Sequence, residues 1–322
     1  MSKLSFFKKS AIAVSLVAGM AAVGTANAGS LAQSVLTLNN FKFLIGGTST
    51  PLSTGAFVPG SLNISDSYQI TSTLNGVTTA SGGATTGGAP LGQNTICTPS
   101  SCPAFLASGS PFTSISSPTV ATGNGAMAST NLTGYPISGL APGPVGATAQ
   151  TAALSEVNST GSAGSQSGLT LTTDFTFTLV QAQGITIDFD TIAHLYTNLQ
   201  PVGSSSASLS WSVTLVNNLT GLTVFSWSPD GVVGTGITGG TEQADGCNLG
   251  VTRTRNAAAY DCSGHETATT GVLAASTSYT LSLGHQSISS VSAVVPEPET
   301  LSLLGLGLAG LALVSRRRVR KA

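Results

Sequence analysis

From Leu169 to Asp190 the chain alternates with a period of two. Leu169, Leu171, Phe175, Phe177 and Leu179 are separated by threonines and Asp174, and Ile185, Ile187 and Phe189 are separated by Thr186, Asp188 and Asp190. Side chains of a strand point alternately to its two faces, so this spacing predicts two half-buried strands, read as antiparallel neighbours turning near Gly184. An α-helix would need a 3.6-residue repeat, and no stretch between Gly29 and Val294 sustains one. The body is therefore expected to be all-β.

Further strands follow the same rule. Val35 to Ile45 is apolar with a change of phase at Asn39-Asn40, which marks a bulge. Leu62, Ile64, Tyr68, Ile70 and Leu74 share one parity and run into Asn75-Gly76, the signal of a tight type I′ hairpin. Leu209, Trp211, Val213 and Leu215 predict another strand, Asn217 to Gly221 a loop, and Leu222 to Trp227 the return; Pro229-Asp230-Gly231 is turn chemistry. Thr277 to Leu283 and Ile288 to Val294 close the series. Residues 80–168 are dominated by Gly, Ser, Thr, Ala and Pro, and composition reads them as long loops with a few weak strands. The expected architecture is an antiparallel β-sandwich, jelly-roll-like, with long Gly/Ser/Thr loops.

Both ends differ from this body. Lys3, Lys8 and Lys9 precede the apolar stretch Ala11 to Val23 and the small residues Ala26-Asn27-Ala28, so residues 1–28 read as a secretory signal peptide cleaved between Ala28 and Gly29. Residues 29–294 form the secreted body and residues 295–322 a separate tail. In the tail Leu301 to Val314 is an apolar run of 14 residues broken only by Ser302, followed by Arg316, Arg317, Arg318, Arg320 and Lys321. As a helix over 300–315 it reaches roughly 21 Å, short of a ~30 Å hydrocarbon core. The basic cluster keeps Ala322 cytoplasmic and places the body outside.

Pro296-Glu297-Pro298, the Gly-rich apolar run and the terminal arginines, in that order at the C-terminus, closely resemble the sorting signal of the PEP-CTERM family, bacterial surface proteins handled by a membrane-embedded exosortase. The resemblance covers under a tenth of the chain. It implies that Pro296, Glu297 and Pro298 are read by the exosortase, after delivery by the secretion machinery, and that the tail is removed afterwards. It also implies an association with extracellular polysaccharide or biofilm material.

Eight of the eleven basic residues lie in the two end segments. The body keeps Lys42, Arg253 and Arg255 against ten acids, leaving −7. With no basic patch for phosphate contacts, nucleic acid is excluded as a partner. Charged residues make up only 7% of the chain, against ~25% in typical domains, so Ser, Thr, Asn and Gln must solvate the surface.

The chemistry-bearing residues give few constellations. Asp188 and Asp190 flank Phe189 on one strand, and with Asp174 on the strand read as its neighbour they are calcium candidates; otherwise they form a solvated acidic face, and no metal is assigned. His194, His265 and His285 read as surface or turn histidines, with no Gly-x-Ser-x-Gly elbow beside them. Gly234-Thr-Gly236-Ile-Thr-Gly239, Gly305-Leu-Gly307-Leu-Ala-Gly310 and Gly123-Asn-Gly125-Ala-Met-Ala128 mimic nucleotide loops but open no helix in a βαβ unit, so no cofactor is expected. Trp211 has core parity. Trp227 is out of phase with Leu222 and Val224, which makes it a candidate sugar-stacking platform. Asn63, Asn131, Asn158 and Asn218 begin Asn-x-Ser/Thr sequons and are read first as coincidence.

Four cysteines exported to an oxidising compartment predict bridges. Cys97 with Cys102 and Cys247 with Cys262 are the simplest pairing. A crossed pairing and a zinc site using Cys247, Cys262 and His265 are the alternatives. The function expected is a non-enzymatic, exosortase-sorted surface or matrix protein, structural or adhesive, passing transiently through the membrane. The rivals are a calcium-assisted carbohydrate-binding module and a secreted hydrolase.

Overall fold

The computed structural model describes residues 29–88, 90–99, 110–114, 124–158, 161–199 and 203–293, together with 305, 307 and 308 in the tail. The signal peptide with Ala28, the motif Pro296 to Pro298, the basic cluster and Cys102 lie outside them. Among the described residues fifteen strands are present: β1 (Ser30–Ile45), β2 (Asn63–Leu74), β3 (Val77–Thr86), β4 (Gly92–Thr98), β5 (Gly125–Tyr135), β6 (Gly146–Val157), β7 (Gly161–Thr178), β8 (Ile185–Asn198), β9 (Gly203–Asn217), β10 (Thr223–Trp227), β11 (Ile237–Thr238), β12 (Gly240–Asp245), β13 (Thr252–Thr254), β14 (Tyr260–Thr270) and β15 (Ser278–Ala293). They form two antiparallel sheets packed face to face. One runs β12-β14-β8-β1-β6-β5-β4, and the other runs β11-β10-β9-β15-β7-β2-β3 with β13 on β9. The body is a β-sandwich.

Local signals are realised as read. The β1 register shifts between Leu38 and Phe41, with Asn40 at φ 53°, so the phase change is a bulge. Asn75 (φ 49°) and Gly76 (φ 83°) join β2 to β3, and two consecutive positive φ values are what a type I′ turn requires. Strand β9 alternates almost perfectly, burying Ala207, Leu209, Trp211, Val213 and Leu215.

Three expectations are corrected. Strands β7 and β8 are not paired: the turn after Leu179 carries the chain from one sheet to the other, so the two alternating runs lie in different sheets. The segments read as two strands over 277–283 and 288–294 give one strand over their described part, β15 (Ser278–Ala293), with a register shift against β7 between His285 and Ser287. The described residues of 80–168 are mostly strand rather than long loops, since most of β3, all of β4, β5 and β6 and the start of β7 fall there.

The reason for the last is visible in burial. Gly125–Thr130 of β5 and Thr151–Val157 of β6 are buried on both faces, so the polar/apolar alternation that marks a half-exposed strand is absent. Their residues are small because the sheets approach closely there. Ser155 Oγ is 2.7 Å from Ser289 Oγ, Thr151 Oγ1 is 2.8 Å from Ser287 Oγ, and Ser34 Oγ donates to the Ser208 carbonyl at 2.7 Å, each pair bridging the two sheets. Such contacts hold the backbones nearer than the roughly 10 Å usual for stacked sheets and satisfy hydroxyls that would otherwise be costly to bury.

At the other end the sheets splay around aromatic rings. Phe189 is fully buried, with ring centroids at 4.8 Å from Trp211, 5.8 Å from Trp227 and 5.5 Å from Phe41. Phe43 meets Phe175 at 5.0 Å, and Phe57 meets Phe177 at 5.5 Å. The sandwich therefore has a thin hydroxyl-bridged end and a thick aromatic end.

Candidate functional site

Asp188 and Asp190 do share the outer face of β8. Lys42 Nζ lies 3.5 Å from Asp188, and His265 spans both carboxylates, Nε2 at 3.2 Å from Asp188 and Nδ1 at 3.0 Å from Asp190. Asn40 donates to Asp190 at 2.9 Å and Thr267 to Asp188 at 3.1 Å. Hydrogen bonds from Asn40 and then His265 hold Asp190 below the ordinary carboxylate range. Asp174 stands on β7 in the opposite sheet, where it accepts a hydrogen bond from Ser282 Oγ, so the three-carboxylate calcium set does not assemble. Among the described residues no group of three or more His, Cys, Asp or Glu is placed to hold a metal ion.

Trp227 is not a sugar platform. It is 1% exposed, and its indole N–H donates to the Glu242 carboxylate, which also accepts from the Gly234 N–H. The glycine pattern 234–239 covers the end of the β10–β11 connection, β11 itself and the residue before β12. Nor are His194 and His285 surface groups. His194 is buried with Nδ1 2.6 Å from Asp261, and His285 faces the interior. Cys247 and Cys262 are joined by a disulfide, which removes the zinc alternative for this pair. Cys97 is buried on β4, while its expected partner Cys102 lies outside the described residues.

Two features escaped the sequence reading. The first is a carboxyl pair. Asp245 on β12 stands opposite Glu266 on β14. Asp245 Oδ2 accepts the backbone N–H groups of Asp230, Gly231 and Val232, and Glu266 Oε2 accepts that of Gly246. Their other oxygens, Asp245 Oδ1 and Glu266 Oε1, are buried without a donor. Burial first, with the neighbouring Asp245 adding to it, pushes Glu266 up to about 7.

Glu266 thus holds a proton more tightly in the folded chain than at its ordinary value of 4.5. Its contribution to stability is full below that value and is lost as pH rises toward 7. At 1.36 kcal/mol per unit, discounted for solvent screening, wild type should lose about 2 kcal/mol relative to Glu266→Gln between pH 5 and 8. Urea unfolding of both proteins at the two pH values checks this, and parallel profiles would contradict it.

The second is an inter-sheet cavity of about 50 Å³ where the thin and thick ends meet. Leu38, Phe41, Ile64, Phe175 and Trp211 supply apolar wall, and Asp66, Thr173 and His285 supply the polar groups. Thr173 Oγ1 donates to Asp66 Oδ1 at 2.6 Å, and burial raises the Asp66 pKa despite that bond. Complete burial pushes His285 down to about 3, offset only in part by the nearby Leu36 carbonyl, and neither ring nitrogen meets a protein partner at full hydrogen-bonding geometry. The sequence did carry a signal for both: Asp66 shares the parity of Ile64, Tyr68 and Ile70, and His285 that of Tyr279, Leu281 and Leu283.

A two-sheet sandwich body followed by a C-terminal segment of sorting type defines the class of protein. The family model described as the PEP-CTERM protein-sorting motif matches residues 294–318, and the chain carries that motif at its C-terminus, consistent with an exosortase substrate. Among curated proteins no match is found. A structure of infectious bursal disease virus, Gx strain, aligns at 13% identity over 90% of this chain and 88% of the other with a TM-score of 0.10. A structure of the Gt strain aligns at 11% over 85% and 64% with a TM-score of 0.11. At these scores neither bears on the fold.

Proposed function

We propose that this chain is an exported, exosortase-sorted protein that acts at the cell surface or in the extracellular matrix as a structural or adhesive element associated with exopolysaccharide. It does so without catalysis. The observation that carries this reading is the sorting motif at 294–318 behind a folded sandwich. The body's surface agrees with it. Hydroxyl pairs such as Ser67 with Thr172 at 3.0 Å and Thr176 with Thr280 at 3.1 Å run along the outer face of β2, β7 and β15, where among the described residues only Asp174 is charged. A polar, nearly uncharged face of this kind suits hydroxyl-rich polymers, which offer hydrogen bonds and no counter-ions.

The test separates export from sorting. Pro296→Ala combined with Glu297→Ala leaves the N-terminal signal untouched, so translocation should persist while tail processing stops and the protein accumulates in the inner membrane. Cell fractionation with C-terminal mass measurement reads both. Surface levels and a C-terminal mass equal to wild type would overturn the sorting reading, and failure of the processed body to co-sediment with exopolysaccharide would overturn the adhesive one.

A further inference from the structure

Burying His285 without a well-made hydrogen bond is a cost the fold could have avoided. An unmade hydrogen bond at a buried polar atom costs about 1–3 kcal/mol, whereas leucine at this position would fill similar volume with none. Breaches of packing rules of this kind concentrate at functional sites. His285 is 4% exposed and lines the inter-sheet cavity, and with only the Leu36 carbonyl nearby and no well-made hydrogen bond its ring can pair with an occupant of that space. About 50 Å³ is several times the roughly 10–15 Å³ that one water needs.

The walls restrict what enters. No Lys or Arg stands among the described lining residues, so an anion would have no counter-charge. A cation would find only Asp66, already bonded to Thr173. Asp66 is two strands across and two residues along from His285, roughly 12 Å away at ordinary strand spacings, so one polar group of a small ligand cannot reach both. Gly88, Pro90 and Pro136 of the wall come from connecting segments and Tyr135 from the end of β5. Gly88 has φ +75°, and a Cβ there would sit 3.2 Å from Ile64 Cδ1, which also lines the cavity.

We propose that the cavity binds one small uncharged molecule, apolar over most of its surface, whose single hydroxyl or carbonyl group pairs with His285. This stands apart from the sorting reading and does not depend on it. The test uses phenol and toluene, which share a shape and differ in the hydroxyl, titrated into the exported protein by calorimetry and ligand-observed NMR. Phenol should bind more tightly than toluene. In His285→Leu phenol should weaken by about tenfold, the worth of one neutral hydrogen bond, while toluene binds as well or better. Ala149→Phe, which fills the cavity, should abolish both. Absence of binding by either compound at millimolar concentration, phenol unaffected in His285→Leu, or binding that survives in a folded Ala149→Phe would each overturn the proposal. Should Ala149→Phe fail to fold, the phenol and toluene comparison in His285→Leu decides alone.

Discussion

Phe189→Ala is expected to destabilise the body by about 3–5 kcal/mol, the range for truncating a fully buried aromatic side chain. Phe189 is fully buried, and its ring is the common neighbour of Phe41, Trp211 and Trp227 at the thick end of the sandwich. Those partners come from β1, β9 and β10, so the lost volume is flanked by both sheets and cannot collapse without moving one against the other. A domain's total stability is about 5–15 kcal/mol, which makes this single change a large part of it. The measurement is urea unfolding followed by tryptophan fluorescence, since the chain's only two tryptophans both touch Phe189. The midpoint should fall with an unchanged slope. A loss under about 1.5 kcal/mol would mean that the site repacks, as in tolerated volume-conserving changes.

His285→Leu should turn a nearly flat stability profile between pH 7 and 4.5 into one that rises on acidification. In the folded chain His285 is neutral, its pKa held at about 3 against 6.5 unfolded. A depressed folded pKa contributes stability that is present above pH 6.5 and lost as pH falls toward 3. The full window corresponds to about 5 kcal/mol and the interval from pH 6.5 to 4.5 to about 3 kcal/mol. Glu266 acts with the opposite sign between 4.5 and 7, so the two cancel over much of the mildly acidic range and the wild-type profile should be nearly flat there. The variant exposes the Glu266 contribution and should gain stability on acidification from pH 7 to 5. Unfolding free energies at pH 7, 5.5 and 4.5 settle it: wild-type and variant curves that run parallel would show that the imidazole is not the group being titrated.

The proximity of these two titrating features to structural seams is physical. His285 lies where β15 shifts register against β7 and where inter-sheet packing changes from hydroxyl pairs to rings. A mismatch in side-chain size at such a junction leaves space, and a bulge redirects what faces it. Glu266 lies beside the Cys247–Cys262 bridge, where the chain from Asp230 to Gly246 is fastened by carboxylates accepting backbone N–H groups instead of by long strand ladders.

What the chain's amino acids determined alone was local. The turn at Asn75-Gly76, the bulge at Asn39-Asn40, the alternation in β2, β7, β8 and β9 and the 15-residue spacing from Cys247 to Cys262 each depend on residues close in sequence, through allowed φ values, period or short loop closure. The C-terminal sorting segment is equally local, a contiguous string. Tertiary structure alone decided which sheet each strand joined. Leu169–Leu179 and Ile185–Phe189 have the same pattern whether they pair or lie in different sheets, because alternation reports one buried face and not the identity of what buries it. It also decided that the Ala/Ser-rich strands β5 and β6 are interior, since a strand covered on both faces loses its alternation, and that Trp227 turns inward to Glu242. His285 and Asp66 carried the parity of core residues, yet only the meeting of the two sheets placed them around one cavity, because the distance between strands remote in sequence is set by how every other side chain packs.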